Sequence, residues 1–257
     1  MILRRVIAHF RKQEWTAIAL DFLIVVVGVF IGIQVANWNA ARADRELGRD
    51  YTHRLISDLE QDLADARSLF GYYGHVLDSV VETDRLLSSP GSDAQALIVA
   101  AYRASEFNNN PPNSATWDEI VSSGQIGLLP SGAIEGGLSD YYKFQAANDD
   151  VNIRLIDSPY RLAVRSLIPL PLQLAIREGC SDDLDDINVA RDFMSECVLN
   201  IDASIINKAA ETLRSSPALH ESLRHQYTMV ASVQINNRGN IVLLDRVLGV
   251  LNAKDSE

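Results

Sequence analysis

The chain has 257 residues and carries 34 acidic side chains against 23 basic ones, for a formal net charge of −11. Beyond Trp38 the imbalance grows to 32 acidic against 19 basic residues, which excludes nucleic acid as a partner because phosphate binding needs a basic surface. The same charge argues against adhesion of this part to an anionic membrane surface, and its length of about 220 residues suffices for one or two domains.

Apolar residues dominate the segment between Trp15 and Trp38. Residues 18–36 include only two polar side chains, Asp21 and Gln34. As a helix, the segment between the tryptophans rises about 35 Å, which places one indole near each interface of a bilayer. Asp21 would lie about 9 Å along the axis from Trp15, near the headgroups, where a carboxylate costs less than at the membrane centre. The pattern predicts a single transmembrane helix over residues 15–38, with Trp15 and Trp38 as interfacial anchors.

Basic residues on the two sides of this span predict its orientation. Four precede it with one acidic residue, whereas the three that follow alternate with acidic ones. By the positive-inside rule, residues 1–14 form a short cytoplasmic N-terminus and the chain after Trp38 is exported. Signal-peptide cleavage after Ala43 is the alternative, since Ala41 and Ala43 are small residues at suitable positions. The length of the apolar stretch favours a retained anchor.

Small residues line one face of the predicted span. Gly28 and Gly32 form a GxxxG pair that Ala36 extends, and such a face lets two helix backbones approach closely in a membrane. Asp21 lies seven residues before Gly28 and therefore on nearly the same face. These four residues predict helix packing in a homo-oligomer or against a partner membrane protein. The alternative is that glycine is simply common in spans and that Asp21 reaches toward water.

Helical patterns continue almost throughout the rest of the chain. Residues 42–88 lack proline and repeat apolar residues in steps of three and four, which predicts a stalk or first bundle helix over residues 39–90, weakest at Gly71 and Gly74. Residues 91–257 form the predicted exported helical domain. Its predicted helices cover roughly residues 93–105, a helix begun by a Thr116–Glu119 capping box, residues 133–147, residues 149–177 broken at prolines, and residues 202–214, 218–236 and 238–252. The predicted fold class is all-α, an anchor helix that continues into a helical bundle.

Two cysteines, Cys180 and Cys197, fall in the exported part. In an oxidising compartment they predict a disulfide, which would stabilise the segment by roughly 3 kcal/mol in the chain-entropy model. The sequence they enclose is acidic and poor in core residues, so we expect a loop with little burial of its own. A reactive thiol or a metal-binding pair is the alternative.

The sequence carries no recognisable catalytic motif: it has no GxSxG, HExxH, phosphate-binding glycine loop or CxxC. We therefore predict no catalytic residue, no cofactor and no metal site, and a protein that is not an enzyme. One stretch suggests a ligand groove, because Trp117, Asp118 and Glu119 combine an indole with two carboxylates beside the proline-containing loop that begins at residue 107. Alternatively, Trp117 anchors the core and the carboxylates face a helix N-terminus, where negative charge is favoured.

Two blocks of the sequence resemble a known pattern. "IQVANWN" (residues 33–39) follows an acidic residue and a glycine-containing apolar run, and "TWDEIVSSGQIGLLPSGAIEGGLSDYY" covers residues 116–142. Both are similar to segments of an uncharacterised bacterial family of single-span membrane proteins, a domain of unknown function. The resemblance implies a bacterial inner-membrane protein with a periplasmic helical domain. It implies no activity and no catalytic residues.

These observations favour a membrane-anchored periplasmic interaction or scaffold protein that self-associates. A periplasmic ligand-sensing protein, or an accessory subunit of another membrane protein, is the alternative. An enzyme with an unrecognised site near Trp117 is a third hypothesis.

Overall fold

The computed structural model describes residues 15–184, 190–195 and 197–255, so the predicted cytoplasmic segment 1–14 lies outside the described residues. The described chain is mostly helical, with one short pair of antiparallel strands, which confirms the all-α prediction. The elements are α1 Trp15–Leu87, α2 Ala94–Arg103, α3 Ala115–Ser122, a 3₁₀ turn Ile126–Leu128, α4 Leu138–Ile156, α5 Pro159–Leu167, α6 Leu170–Gly179, β1 Asp182–Leu184, β2 Ala190–Phe193, α7 Ala203–Arg214 and α8 Pro217–Asp255.

Helix α1 has 73 residues and is therefore about 110 Å long. All side chains at positions 18–46 are exposed, whereas from Gly48 onward buried residues recur on one face and pack against the rest of the chain. The helix runs without a break through Gly71 and Gly74, the predicted weak point. A Cβ at Gly74 would lie 3.2 Å from Gln234 Nε2, so the missing side chain lets α8 approach.

Residues 18–46 are called the free part of α1 below. They include the one helical stretch among the described residues that is long and apolar enough to cross a membrane. Its most apolar stretch has a mean hydropathy of 2.6, and none of that stretch is buried against the rest of the chain. It is therefore no core helix of the domain. By length and composition it fits a membrane anchor, as it would also fit a signal sequence.

Helix α8 packs along α1 as a single 39-residue helix, so the prediction of two helices with a break near residue 237 is wrong. A glycine inside a helix costs only about 1 kcal/mol, and at Gly239 the α4 ring of Phe144 packs close to the backbone. Asn237 and Asn240 on either side are 4% exposed and face the interior. Tertiary packing therefore overrides a local sequence that favours a turn.

The core has two main parts along α1. The near core surrounds Tyr51, Leu55 and Leu59 of α1, which pack with residues of α3, α4 and the C-terminal half of α8. The far core surrounds Val80 and Leu86 and is built mainly from α2, α5, α6 and α7. A smaller cluster between the two along α1 contains Tyr72 and Tyr73.

Helix α4 begins later than predicted, at Leu138, and ends later, at Ile156. Gly132 and Gly137 precede it with φ of 93° and 109°, a left-handed conformation that favours glycine and turns the chain before the helix starts. A Cβ at Gly137 would also meet Leu243 of α8 at 2.7 Å. The breaks predicted at prolines are present, since α5 begins at Pro159 and α6 follows Pro169.

The chain after α2 is fixed by a buried ion cluster. Glu106 is 4% exposed, and its carboxylate lies 3.1 Å from Arg165 Nη2 of α5 and 3.6 Å from Arg177 Nη2 of α6. A carboxylate removed from water needs such partners, because an unpaired buried charge is strongly unfavourable. This cluster joins the chain just after α2 to the C-terminal parts of α5 and α6.

Cys180 and Cys197 form the predicted disulfide. Between them, β1 and β2 pair as antiparallel strands, which the expected loop did not include. Phe193 is the one buried side chain among those described in this segment, at 9% exposed. Phe193 packs against the Tyr72 ring of α1, with centroids 5.4 Å apart, and the Arg103 guanidinium lies 4.8 Å over it. The hairpin is therefore attached to α1 and α2 as well as closed by the disulfide.

Replacing both cysteines by serine is expected to lower the free energy of unfolding by roughly 3 kcal/mol, because the unfolded chain gains the freedom that the 17-residue closure removes. Denaturant unfolding of the oxidised protein and the Cys180→Ser/Cys197→Ser variant measures this difference. Reductant should lower the unfolding free energy of the wild type alone. The variant lacks the disulfide and is therefore the control for this treatment. Equal unfolding free energies would show that the docked Phe193 holds the segment without the bond.

Candidate functional site

Helix α3 is attached to α1 by polar contacts along one face of the long helix. The α1 residues involved are spaced four apart, so they lie above one another on that face. Each contacts a residue of α3 or of the chain just before it. The contacts are Arg54 Nη2 to Glu119 Oε2 at 2.6 Å, Thr116 Oγ1 to Asp58 Oδ2 at 2.6 Å, and both the backbone N and the Nδ2 of Asn113 to Asp62 Oδ1 at 2.9 Å.

These contacts overturn the predicted capping box. Ser114 is the N-cap of α3 and makes no capping hydrogen bond with its side chain. Thr116 and Glu119, the two predicted capping residues, bind α1 instead. The hydrogen bond from Arg54 holds the pKa of the Glu119 carboxyl below its usual range. The local pattern was ambiguous because the same side chains can serve a helix end or a neighbouring helix.

A groove of about 720 Å³ lies between α3 and α4. Pro111 and Pro112 form part of its wall, and Trp117 and Tyr142 lie together within it. The two rings stack in parallel with centroids 5.1 Å apart. Tyr142 is 9% exposed, whereas Trp117 is only partly buried, so the indole contributes both to the near core and to the groove surface.

Apolar and charged side chains occupy different parts of this groove. Val121 and Ile126 are 44% and 37% exposed and give it an apolar open side. Asp118 and Lys143 are both exposed and add one charge of each sign. Ser114 Oγ donates a hydrogen bond of 2.8 Å to Asp118 Oδ2 and thereby orients the carboxylate.

A hydrogen-bonded network lies behind the groove and begins at Tyr142. Its hydroxyl donates to the carbonyl oxygen of Asn113 at 3.2 Å, and its ring meets Tyr141 edge-on at 5.0 Å. Tyr141 in turn donates its hydroxyl proton to Asp62 Oδ2 at 2.8 Å. Tyr142 of the groove is thus connected through the Tyr141 side chain to the Asp62 carboxylate of α1.

Asp62 is 5% exposed and lies on α1, the helix that also includes the free apolar segment. Burial raises the pKa of its carboxyl, and the hydrogen bonds from Asn113 and Tyr141 act in the opposite direction. The network continues from Tyr141 to two further side chains. Gln145 donates to Tyr141 Oη at 3.1 Å, and Asn240 donates to Gln145 Oε1 at 2.7 Å. It therefore joins α1, α4 and α8.

Sequence reasoning missed this network, although one signal was present. Asp62 lies three residues after Leu59 and four before Ala66, so it falls within the apolar stripe of α1. A carboxylate at a core position needs hydrogen-bond donors from elsewhere in the fold. The identity of those donors could not be inferred, because Asn113 and Tyr141 are 51 and 79 residues away.

The three residues predicted to form a groove do not all line it. Trp117 and Asp118 line the groove, whereas Glu119 pairs with Arg54 outside it. The predicted packing residues of the span, Asp21, Gly28, Gly32 and Ala36, are all exposed on the free part of α1 and are not brought near the groove. Trp15 and Trp38, at the two ends of the predicted span, are 61% and 60% exposed.

No group of three or more His, Cys, Asp or Glu side chains that could hold a metal ion occurs among the residues that the structure describes. The groove lining includes no histidine and no cysteine from that part of the chain. In comparisons with known proteins, no family model, no curated protein and no solved structure matches this chain.

Replacing Asp62 by alanine is expected to reduce the free energy of unfolding by about 2–3 kcal/mol, because the donors of Tyr141 and Asn113 lose a buried acceptor. Denaturant unfolding measures the change. Asp78→Ala, which removes an exposed carboxylate of the same helix, is the matched control and should change the unfolding free energy by no more than about 0.5 kcal/mol. Equal effects of the two variants would contradict a structural role for Asp62.

The raised pKa of Asp62 predicts a specific pH dependence. The folded protein holds the Asp62 proton to higher pH than the unfolded chain does, so ionisation costs stability as pH rises from the ordinary carboxyl value of about 3.9 through the raised value. Wild type should therefore lose stability relative to Asp62→Asn across that window and keep a constant difference above it. Unfolding of both proteins at a series of pH values measures this. A difference that does not vary with pH would argue against the raised pKa.

Proposed function

We propose that this protein is a membrane-anchored interaction protein of a bacterial inner membrane, with its N-terminus in the cytoplasm and its helical domain in the periplasm, and that it self-associates through its span. The observation that carries the proposal is the continuity of α1. One uninterrupted helix provides both the free apolar segment and the central helix of the domain. No reaction is part of the proposal.

The exposure of the apolar segment supports the anchor. Phe22, Ile24 and Phe30 are 60–69% exposed, and every large apolar residue at positions 23–31 is at least 44% exposed. Burying each such side chain is worth about 1.5–3 kcal/mol, and an exposed apolar surface of this extent is unfavourable in water. A bilayer supplies the missing burial, with the exposed tryptophans Trp15 and Trp38 at the positions of the two interfaces.

The helical link between span and domain supports a mechanical role. Residues 39–46 are helical and exposed, so the domain begins about 12 Å beyond Trp38 without a flexible linker. A helix transmits tilt and rotation, whereas a flexible linker of the same length would not. Association in the membrane would therefore set the spacing and orientation of the domains outside it.

The glycine face supports self-association. A Cβ added at Gly28 or Gly32 would meet no atom of the chain within 4 Å, so neither glycine is required by the fold of the described residues. Close approach of a neighbouring span does require them. Asp21 lies on nearly the same face, where a second helix could shield it from lipid or supply a hydrogen-bond donor.

A ligand-sensing protein or an accessory subunit of another membrane protein is the second candidate. The groove favours it, because the wall residues Pro111 and Pro112 directly precede Asn113, which binds Asp62 of α1. A molecule in the groove would thus contact a segment that is fixed to the anchor helix. Its effect would reach the membrane through α1 and a partner that contacts the span.

Replacing Gly28 and Gly32 by leucine is expected to abolish self-association, because the added side chains prevent close helix approach. In-membrane cross-linking of the full chain, with mass spectrometry of the captured proteins, measures it. The control is Val27→Leu/Ile31→Leu, which has the same spacing on a face turned by about 100° and should leave the cross-linked species unchanged.

The cross-linked products distinguish the two candidates. A ladder of the protein with itself that disappears in Gly28→Leu/Gly32→Leu supports self-association. Capture of a different membrane protein, without the ladder, supports the accessory subunit instead. A ladder that persists in the glycine variant would contradict packing on this face.

A further inference from the structure

Two opposite charges line the same groove without pairing with each other. Asp118 lies in the first turn of α3 and Lys143 on α4, one residue after Tyr142. Within the described part of the chain, Lys143 makes no hydrogen bond or ion pair with its side chain, and Asp118 accepts a hydrogen bond from Ser114. The carboxylate retains its Oδ1 for another donor. An ion pair between these two exposed side chains would cost little, but they do not form one.

The surface that accompanies them is apolar. Trp117, Ile134 and Tyr142 line the groove together with the exposed Val121 and Ile126. A volume of about 720 Å³ is within the range of about 300–1,000 Å³ typical of small-molecule sites, which combine apolar linings with a few polar groups. The groove therefore offers burial to an apolar body and one charge of each sign to its polar groups.

We propose that this groove binds a small zwitterion with an apolar body, of which a short apolar peptide with free termini is the test case. The ammonium group binds the Asp118 carboxylate, the carboxylate binds the Lys143 ammonium, and the apolar side chains cover the Trp117 surface. The proposal rests on the second candidate function, ligand sensing, and does not depend on self-association.

Electrostatics favours a zwitterion over a singly charged ligand. The exported part of the chain is strongly acidic, so an anionic ligand would be repelled as it approached. A cationic ligand would be attracted, but it would leave the Lys143 ammonium beside a second positive charge. A zwitterion satisfies both side chains and carries no net charge into the groove.

The groove is also held in shape before a ligand arrives. Ser114 orients Asp118, and the hydroxyl of Tyr142 is bound to Asn113 while its ring is stacked on Trp117. Preorganised side chains lose little conformational freedom on binding, which favours affinity. Lys143 is the exception, because its side chain is exposed and must be ordered by the ligand.

Isothermal titration of the full chain in nanodiscs with the dipeptide leucyl-leucine tests the proposal. We expect saturable binding, and we expect Asp118→Asn and Lys143→Met each to weaken it roughly tenfold or more, since each removes one charged partner. The matched controls are Asp140→Asn and Lys208→Met, exposed charges outside the groove, which should bind as wild type does. All four substitutions are at exposed positions, and thermal unfolding verifies that each variant is folded.

Two further measurements make the test specific. In a Trp15→Phe/Trp38→Phe variant the remaining tryptophan is Trp117, so its fluorescence should change on titration with the dipeptide. The same dipeptide with an acetylated amino group and an amidated carboxyl group should bind at least tenfold more weakly. Its apolar side chains are identical, so the difference isolates the two charges.

Three results would overturn the proposal. The first is no heat and no fluorescence change with leucyl-leucine at millimolar concentration. The second is equal binding of the blocked dipeptide, which would establish a groove for apolar ligands and leave ligand sensing intact while removing the zwitterion. The third is unchanged affinity in Asp118→Asn and Lys143→Met, which would show that neither charge takes part in binding.

Discussion

A single run of backbone hydrogen bonds from Trp15 to Leu87 joins an exposed apolar segment to the surface on which much of the domain packs. Residues 18–46 of α1 are exposed, and the second part of the helix is the surface on which α2, α3 and α8 pack. Because one helix has both roles, the domain cannot rotate independently of its apolar segment. The proposed anchoring, self-association and sensing all depend on this continuity.

The main electrostatic cost near the groove is the burial of a carboxylate of α1. Removing the Asp62 carboxylate from water is unfavourable, and hydrogen bonds from Tyr141 and Asn113 offset only part of this cost. These bonds fix the segment that carries Pro111 and Pro112, which forms the groove wall. A buried carboxylate on the long helix thus positions a surface feature, and its raised pKa makes that arrangement sensitive to pH.

Several tertiary contacts replaced local ones that the sequence suggested. Thr116 and Glu119 fit a helix cap by spacing, but each binds a residue of α1 instead. The sequence predicted a helix break near residue 237, yet α8 continues through it, and Asn237 and Asn240 are buried there. In the hairpin, Phe193 is a lone aromatic in an acidic stretch, and its burial depends on Tyr72 and Arg103 from distant helices.

The amino-acid sequence by itself determined the helical class, the extent of α1, the cysteine pairing and the presence of Trp117 and Asp118 beside a proline-containing loop. Those features follow from local periodicity, from the absence or presence of proline, and from the count of two cysteines. Only the tertiary structure decided which of the three adjacent residues Trp117, Asp118 and Glu119 line the groove, and that Asp62 is buried behind it. The reason is physical: desolvation and side-chain pairing depend on which helices meet, and those partners are separated by 50 residues or more along the chain.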